Sequence, residues 1–199
     1  MRHKPFVLCL ALSLALVLAI GRVFAHMTPP VVLISDRDVV LGMMEGAKKY
    51  FVREVRLTPE ERTTIQQQWG WRAEDELYRF YLGRDEAGQL VAAVTFLTEF
   101  TIHGPVRVAV GLSPDGRIKD AQVVELTEET FPWLKPLIDQ NFTQDYVGQD
   151  SQVHFALSER ALQTHLESMP LFYGQLVVSL VQRAAILFDV TMLRRPGKL

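Results

Sequence analysis

The chain has 199 residues, 21 basic against 23 acidic side chains, and a formal net charge of −2. Its basic residues are scattered rather than clustered, which argues against nucleic acid as a partner. The single cysteine, Cys9, leaves no disulfide, iron–sulfur or paired-thiol chemistry to build on.

The N-terminus reads as a secretory signal. Arg2, His3 and Lys4 form a basic start, Phe6 to Ile20 is apolar apart from Ser13, and Val23-Phe24-Ala25 fits a small-x-Ala cleavage pattern. The apolar run is shorter than the about 20 residues that span a bilayer comfortably. Residues 1–25 are therefore expected as a signal peptide, with an uncleaved anchor as the alternative. Both place the folded part outside the cytoplasm. His26 would open the cleaved product, and no spacing brings a second imidazole to it for metal binding.

Residues 26–55 read as an extension with one helix. A brief edge strand is expected over Val31 to Ile34, and Ser35 caps a helix from Asp36 to Ala47 with Asp36 and Asp38 in its first turn. Thr58-Pro59-Glu60-Glu61 is a capping box with proline at the first helical position, opening a helix to about Gln68. The period then changes to two. Strands are expected at Leu77 to Leu82, Leu90 to Leu97, Val106 to Leu112 and Ile118 to Leu126. Ser113-Pro114-Asp115-Gly116 forms a type I turn between the last two.

The last third reads as helical: Trp133 to Phe142 with Pro136 near its start, then Glu159 to Glu167 capped by Ser158. Met169-Pro170 is expected to break the second of these, and Gly174 to Val190 to form an apolar core helix packed on the sheet. Together these elements predict an α+β fold, an antiparallel sheet of four or five strands with helices on one face. Glu128 and Glu129, adjacent on an expected strand, point to opposite faces and form no acid–base dyad. Trp69, Trp71 and Trp133 are expected in the core or a pocket wall.

Four stretches carry a family resemblance. They are Leu57 to Glu61 with Tyr78 to Arg84; His103-Gly104-Pro105 through Gly111 to Ile118; Val124 to Glu129 with Phe142 to Gln149; and Val181-Gln182-Arg183-Ala184-Ala185. In order and spacing, residues 56–192 resemble the exported FMN-binding domains that carry flavin on a threonine, with residues 193–199 as a tail. Counting back from Arg183 at the family's spacing sets its Ser-Gly-Ala-Thr motif on Ser168, Met169, Pro170 and Leu171. Only Ser168 is retained, and Leu171 has no hydroxyl to form the phosphoester.

The resemblance implies a protein of the periplasm or the outer face of the cytoplasmic membrane. Its implied role is electron transfer with membrane or periplasmic redox proteins, an electron carrier or binding domain rather than a turnover enzyme. The implied cofactor site is Ser168, Met169, Leu171, Phe172, Tyr173 and Gly174, facing His103, Gly104 and Pro105. The new side chains either stack on a non-covalently held FMN or plug its pocket. A flavin-free module that docks a redox complex is the alternative function.

Overall fold

The computed structural model describes residues 29–74, 77–163 and 167–195. The expected signal segment, with Cys9 and His26, lies outside them. Period-two patterning becomes one six-stranded sheet: β1 (Pro30–Val32), β2 (Lys49–Arg56), β3 (Leu77–Arg84), β4 (Leu90–Thr101), β5 (Gly104–Leu112) and β6 (Ile118–Thr127). The order is β1-β6-β5-β4-β3-β2, and every neighbouring pair is antiparallel. The α+β class stands, with more strands than the four or five expected. The addition is β2, an edge strand on which Val55 alone is buried while Tyr50, Phe51 and Val52 are exposed. A strand buried on neither face leaves no alternating pattern to read.

Helices cover both faces of the sheet rather than one. On the first face, Phe80, Ala93, Val106, Val108 and Val110 pack with the long helix α5 (Ser168–Phe188), introduced below with its neighbours. On the second, Ala92, Val94, Ala109 and Val124 pack against Val39 and Met43 of α1 (Asp36–Met43) and against Met44, which caps its end. Asp36 accepts two hydrogen bonds from Arg107, Nη1 to Oδ1 at 2.6 Å and Nη2 to Oδ2 at 2.7 Å, which fix α1 on β5. Helix α1 ends at Met43, short of Ala47, because Gly46 turns the chain at φ 92° into β2.

The capping box forms as read: Glu61 N donates to Thr58 Oγ1, and Thr58 N donates to Glu61 Oε2, opening α2 (Pro59–Trp69). Helix α3 (Phe131–Asp139) starts two residues earlier than Trp133 and carries Pro136 inside it. Asn141, at φ 50°, then turns the chain into a 3-10 turn over Phe142–Tyr146. Ser158 caps the short α4 (Glu159–Leu162).

The start of α5 differs from the expectation. Met169-Pro170 does not break a helix that restarts at Gly174; the helix begins at Ser168. Pro170 sits in its first turn, where a helix has no internal partner for the missing N–H. Gly174 instead lets α5 approach α3, since a Cβ there would meet Leu137 Cδ1 at 2.6 Å. With a closing π turn over Asp189–Leu193, this helix is long and apolar enough to cross a membrane, yet 67 % of its most apolar window is buried in the protein. It is the core helix. Arg195 then pairs with Glu61 and ties the segment after the π turn to α2.

Two predictions follow from these contacts. Arg107's hydrogen bonds hold the Asp36 carboxyl below its ordinary 3.8, against the opposing effect of burial. A carboxyl lowered in the folded state stabilises the fold above its unfolded value, and that contribution is lost as pH falls through the folded one. Arg107→Gln should therefore narrow the gap between urea midpoints measured at about pH 6 and about pH 3. At Gly104, φ is 99° and an added Cβ would overlap the Thr127 methyl. Gly104→Ala should lower unfolding free energy by about 2 kcal/mol in urea titration.

Candidate functional site

The β4–β5 hairpin turns through Ile102 and His103 and is tied down by hydroxyls. Thr101 Oγ1 donates to Gly104 O at 2.8 Å and accepts from His103 N at 3.1 Å. Its one proton is thereby used, so the Tyr173 hydroxyl, 3.0 Å away, donates to it. Thr127 Oγ1 donates to His103 O at 2.8 Å, and Thr127 and Thr130, both buried, bond to each other. The hairpin tip is thus fixed to β6 on one side and to α5 on the other.

An aromatic stack fills the space between them. Trp133 of α3 lies on Tyr173 with ring centres 5.4 Å apart and planes at 25°. His103 meets Trp133 edge-on at 5.0 Å, and Phe172 meets Tyr173 edge-on at 5.1 Å. Tyr173 is fully buried, and burial pushes its phenol above the usual tyrosine value. His103 Nδ1 lies 2.6 Å from Glu129 Oε1, so a proton on that nitrogen orients the ring. This pairing was not legible in the sequence, because β6 stops at Thr127 and Glu128-Glu129 lie in the turn that follows rather than on a strand.

Outside the stack runs an apolar groove of about 730 Å³, lined by Phe100, Ile102, His103, Met169, Phe172 and Leu176 among others. Its far wall is the ion pair of Arg183 with Glu99 at 2.7 Å. Beyond that pair lies a more polar cleft of about 810 Å³ with Trp71, Tyr78, His154 and Gln182 on its walls. Arg183 stands 5.4 Å over the Trp71 ring.

Of the residues expected at the site, His103, Met169, Phe172 and Tyr173 come together on the groove. Ser168 and Leu171 do not line it; Ser168 is exposed and Leu171 half-buried in the first turn of α5. Gly104 and Pro105 lie in β5, with Gly104 against Thr127, while Gly174 faces α3. Phe100, Ile102, Leu176 and the Glu99–Arg183 pair were missed. Apolar residues beside His103-Gly104 were the available signal, obscured because the strand was expected to stop at Leu97 and runs to Thr101.

These residues do not fit a covalently held FMN. Leu171 offers no ester oxygen. At the start of α5, Pro170 has no amide proton, and the Leu171 amide is engaged with Glu167 O at 3.2 Å. The groove's one lysine or arginine among its lining residues, Arg183, is held by Glu99 at the far wall. A phosphate beside Leu171 would have little positive charge to meet it. No protein-family model matches the chain, and no curated protein matches it either.

The stack assigns unequal roles to its two neighbouring rings. Tyr173→Ala should lower unfolding free energy by about 3–5 kcal/mol, because it opens a cavity under Trp133. Tyr173→Phe should lower it by about 1 kcal/mol, the contribution of one hydrogen bond. Phe172→Ala, at a side chain 55 % exposed, should change it by less than about 0.5 kcal/mol. Urea unfolding of the three variants checks the ranking.

Proposed function

We propose that this protein is an exported binding domain on an FMN-binding-like scaffold, free of flavin, whose working surface is the groove between the β4–β5 hairpin and α5. The observation that carries this reading is the stack of Trp133 on a fully buried Tyr173, which occupies with protein rings the place where the resemblance expects the cofactor. Leu171 supports it independently, since no flavin can be esterified to an alkyl side chain. The groove's apolar lining favours recognition of an apolar surface, as at the docking sites of membrane or periplasmic redox complexes. Its side chains offer apolar contact through Phe172 and Leu176.

A second reading is an electron carrier with FMN held without a covalent bond. The groove's volume and its two exposed rings, Phe100 and Phe172, are the observation in its favour. In that case the flavin would supply all the redox chemistry, and the protein its position.

The visible spectrum and intact mass of the exported protein separate the two. A colourless protein of unmodified mass, whose addition leaves FMN fluorescence unchanged, is the expected result. Flavin bands that persist through gel filtration would overturn the flavin-free reading.

A further inference from the structure

Three large apolar side chains stand in solvent at one end of the sheet: Ile102 at 95 %, Phe100 at 79 % and Phe172 at 55 % exposure. Ile102 forms the hairpin turn, and Phe100 and Phe172 flank it across the groove. None of the three belongs to the buried core, and Phe172 alone touches the stack, edge-on to Tyr173. A turn position is filled at lower cost by polar residues, and an exposed apolar cluster of this kind marks a contact surface.

The course of the chain indicates what meets that surface. Residue Pro29 accepts a hydrogen bond from Glu128 N at 3.1 Å, and Pro30 pairs with Thr127. Thr127 in turn donates to His103 O in the hairpin turn. The first strand of the sheet therefore starts at the same end as the apolar tip, one strand away. The 28 residues that precede Pro29 include the apolar run from Phe6 to Ile20. Where residues 1–25 stay uncleaved, that apolar run joins the domain through Pro29, at the end that carries the tip. The turns at the opposite end, Asp85 to Gln89 and Ser113 to Arg117, are polar.

We propose that this end rests on a lipid bilayer, with Phe100, Ile102 and Phe172 inserted into the interfacial region and the chain arriving from the membrane side at Pro29. This goes beyond the binding-domain reading and stands whether or not the groove holds flavin. The driving force is burial of apolar area. Glu128 and Glu129 beside the tip make anionic lipid an unfavourable neighbour, so neutral phosphatidylcholine is the matched surface.

The test uses the full chain with Cys9→Ser and a single cysteine at Ile102→Cys or, as control, Asp115→Cys at the opposite end. Each carries an environment-sensitive fluorophore and is reconstituted with phosphatidylcholine vesicles containing brominated acyl chains. The label at 102 should shift to the blue and lose most of its emission to the bromolipid, while the label at 115 keeps its aqueous spectrum. Phe100→Ser with Phe172→Ser should reverse most of that loss. Equal, aqueous spectra at both positions on vesicle-bound protein would overturn the proposal. So would a blue shift at 102 without bromolipid quenching, which would mean that a second copy or the N-terminal run covers the tip. Quenching at 102 in a protein that also retains flavin would refute the flavin-free reading and uphold the membrane contact.

Discussion

A small set of hydroxyls governs the geometry of this domain at its active-looking end. Thr101, Thr127 and Tyr173 join three elements that are distant in sequence: the β4–β5 turn, the end of β6 and the second turn of α5. Each bond contributes only about 1 kcal/mol, but each also satisfies a polar group that is otherwise removed from water. Because Thr101 spends its single proton on Gly104 O, Tyr173 has one orientation open to it. The Tyr173 ring lies against Trp133 and closes the space beneath the hairpin turn, with the groove open outside it. The rigid tip and the filled interior are two results of one arrangement.

The interior beneath the hairpin is closed by side chains. Protein interiors are packed to the density of organic crystals, so the volume between hairpin, α3 and α5 has to be filled by side chains. Tyr173, Trp133 and His103 do so with rings. The first turn of α5 tolerates Pro170 because no internal hydrogen bond is lost there, and Met169 adapts its shape to the groove wall. Proline in the first turn of α5 is therefore cheap in stability. Gly174, by contrast, is required by the close approach of α5 to α3, where a Cβ would meet Leu137 Cδ1 at 2.6 Å.

How much of this was legible in the sequence depends on whether the signal was local. The Thr58 box, the Ser35 and Ser158 caps and the Ser113 to Gly116 turn are written in four or five neighbouring residues, and all form where expected. Strand β2 was hidden because an edge strand with both faces wet has no period. The second covered face was hidden because α1 with its C-cap needs only Val39, Met43 and Met44 to cover it. At the site, Ser168 to Gly174 was read as a loop by spacing, whereas it forms the start of α5, held by contacts of Gly174 with Leu137 and of Tyr173 with Thr101. Glu129 was assigned to a strand it does not occupy, and its contact with His103 spans 26 residues.

The exposed tip cannot be accounted for by the same packing logic. Every other large apolar side chain near the hairpin either lies in the stack or contributes to the core, whereas Ile102 and Phe100 gain nothing from the fold that holds them. Folding stability would permit serine or asparagine at both. Their cost in solubility is real, since an apolar turn promotes association, and it needs an offsetting use. The hydroxyl network makes such a use physically reasonable: it fixes Ile102 at the outermost point of the sheet with the backbone already ordered. A contact made there would spend little further conformational entropy, so even three side chains can bind usefully.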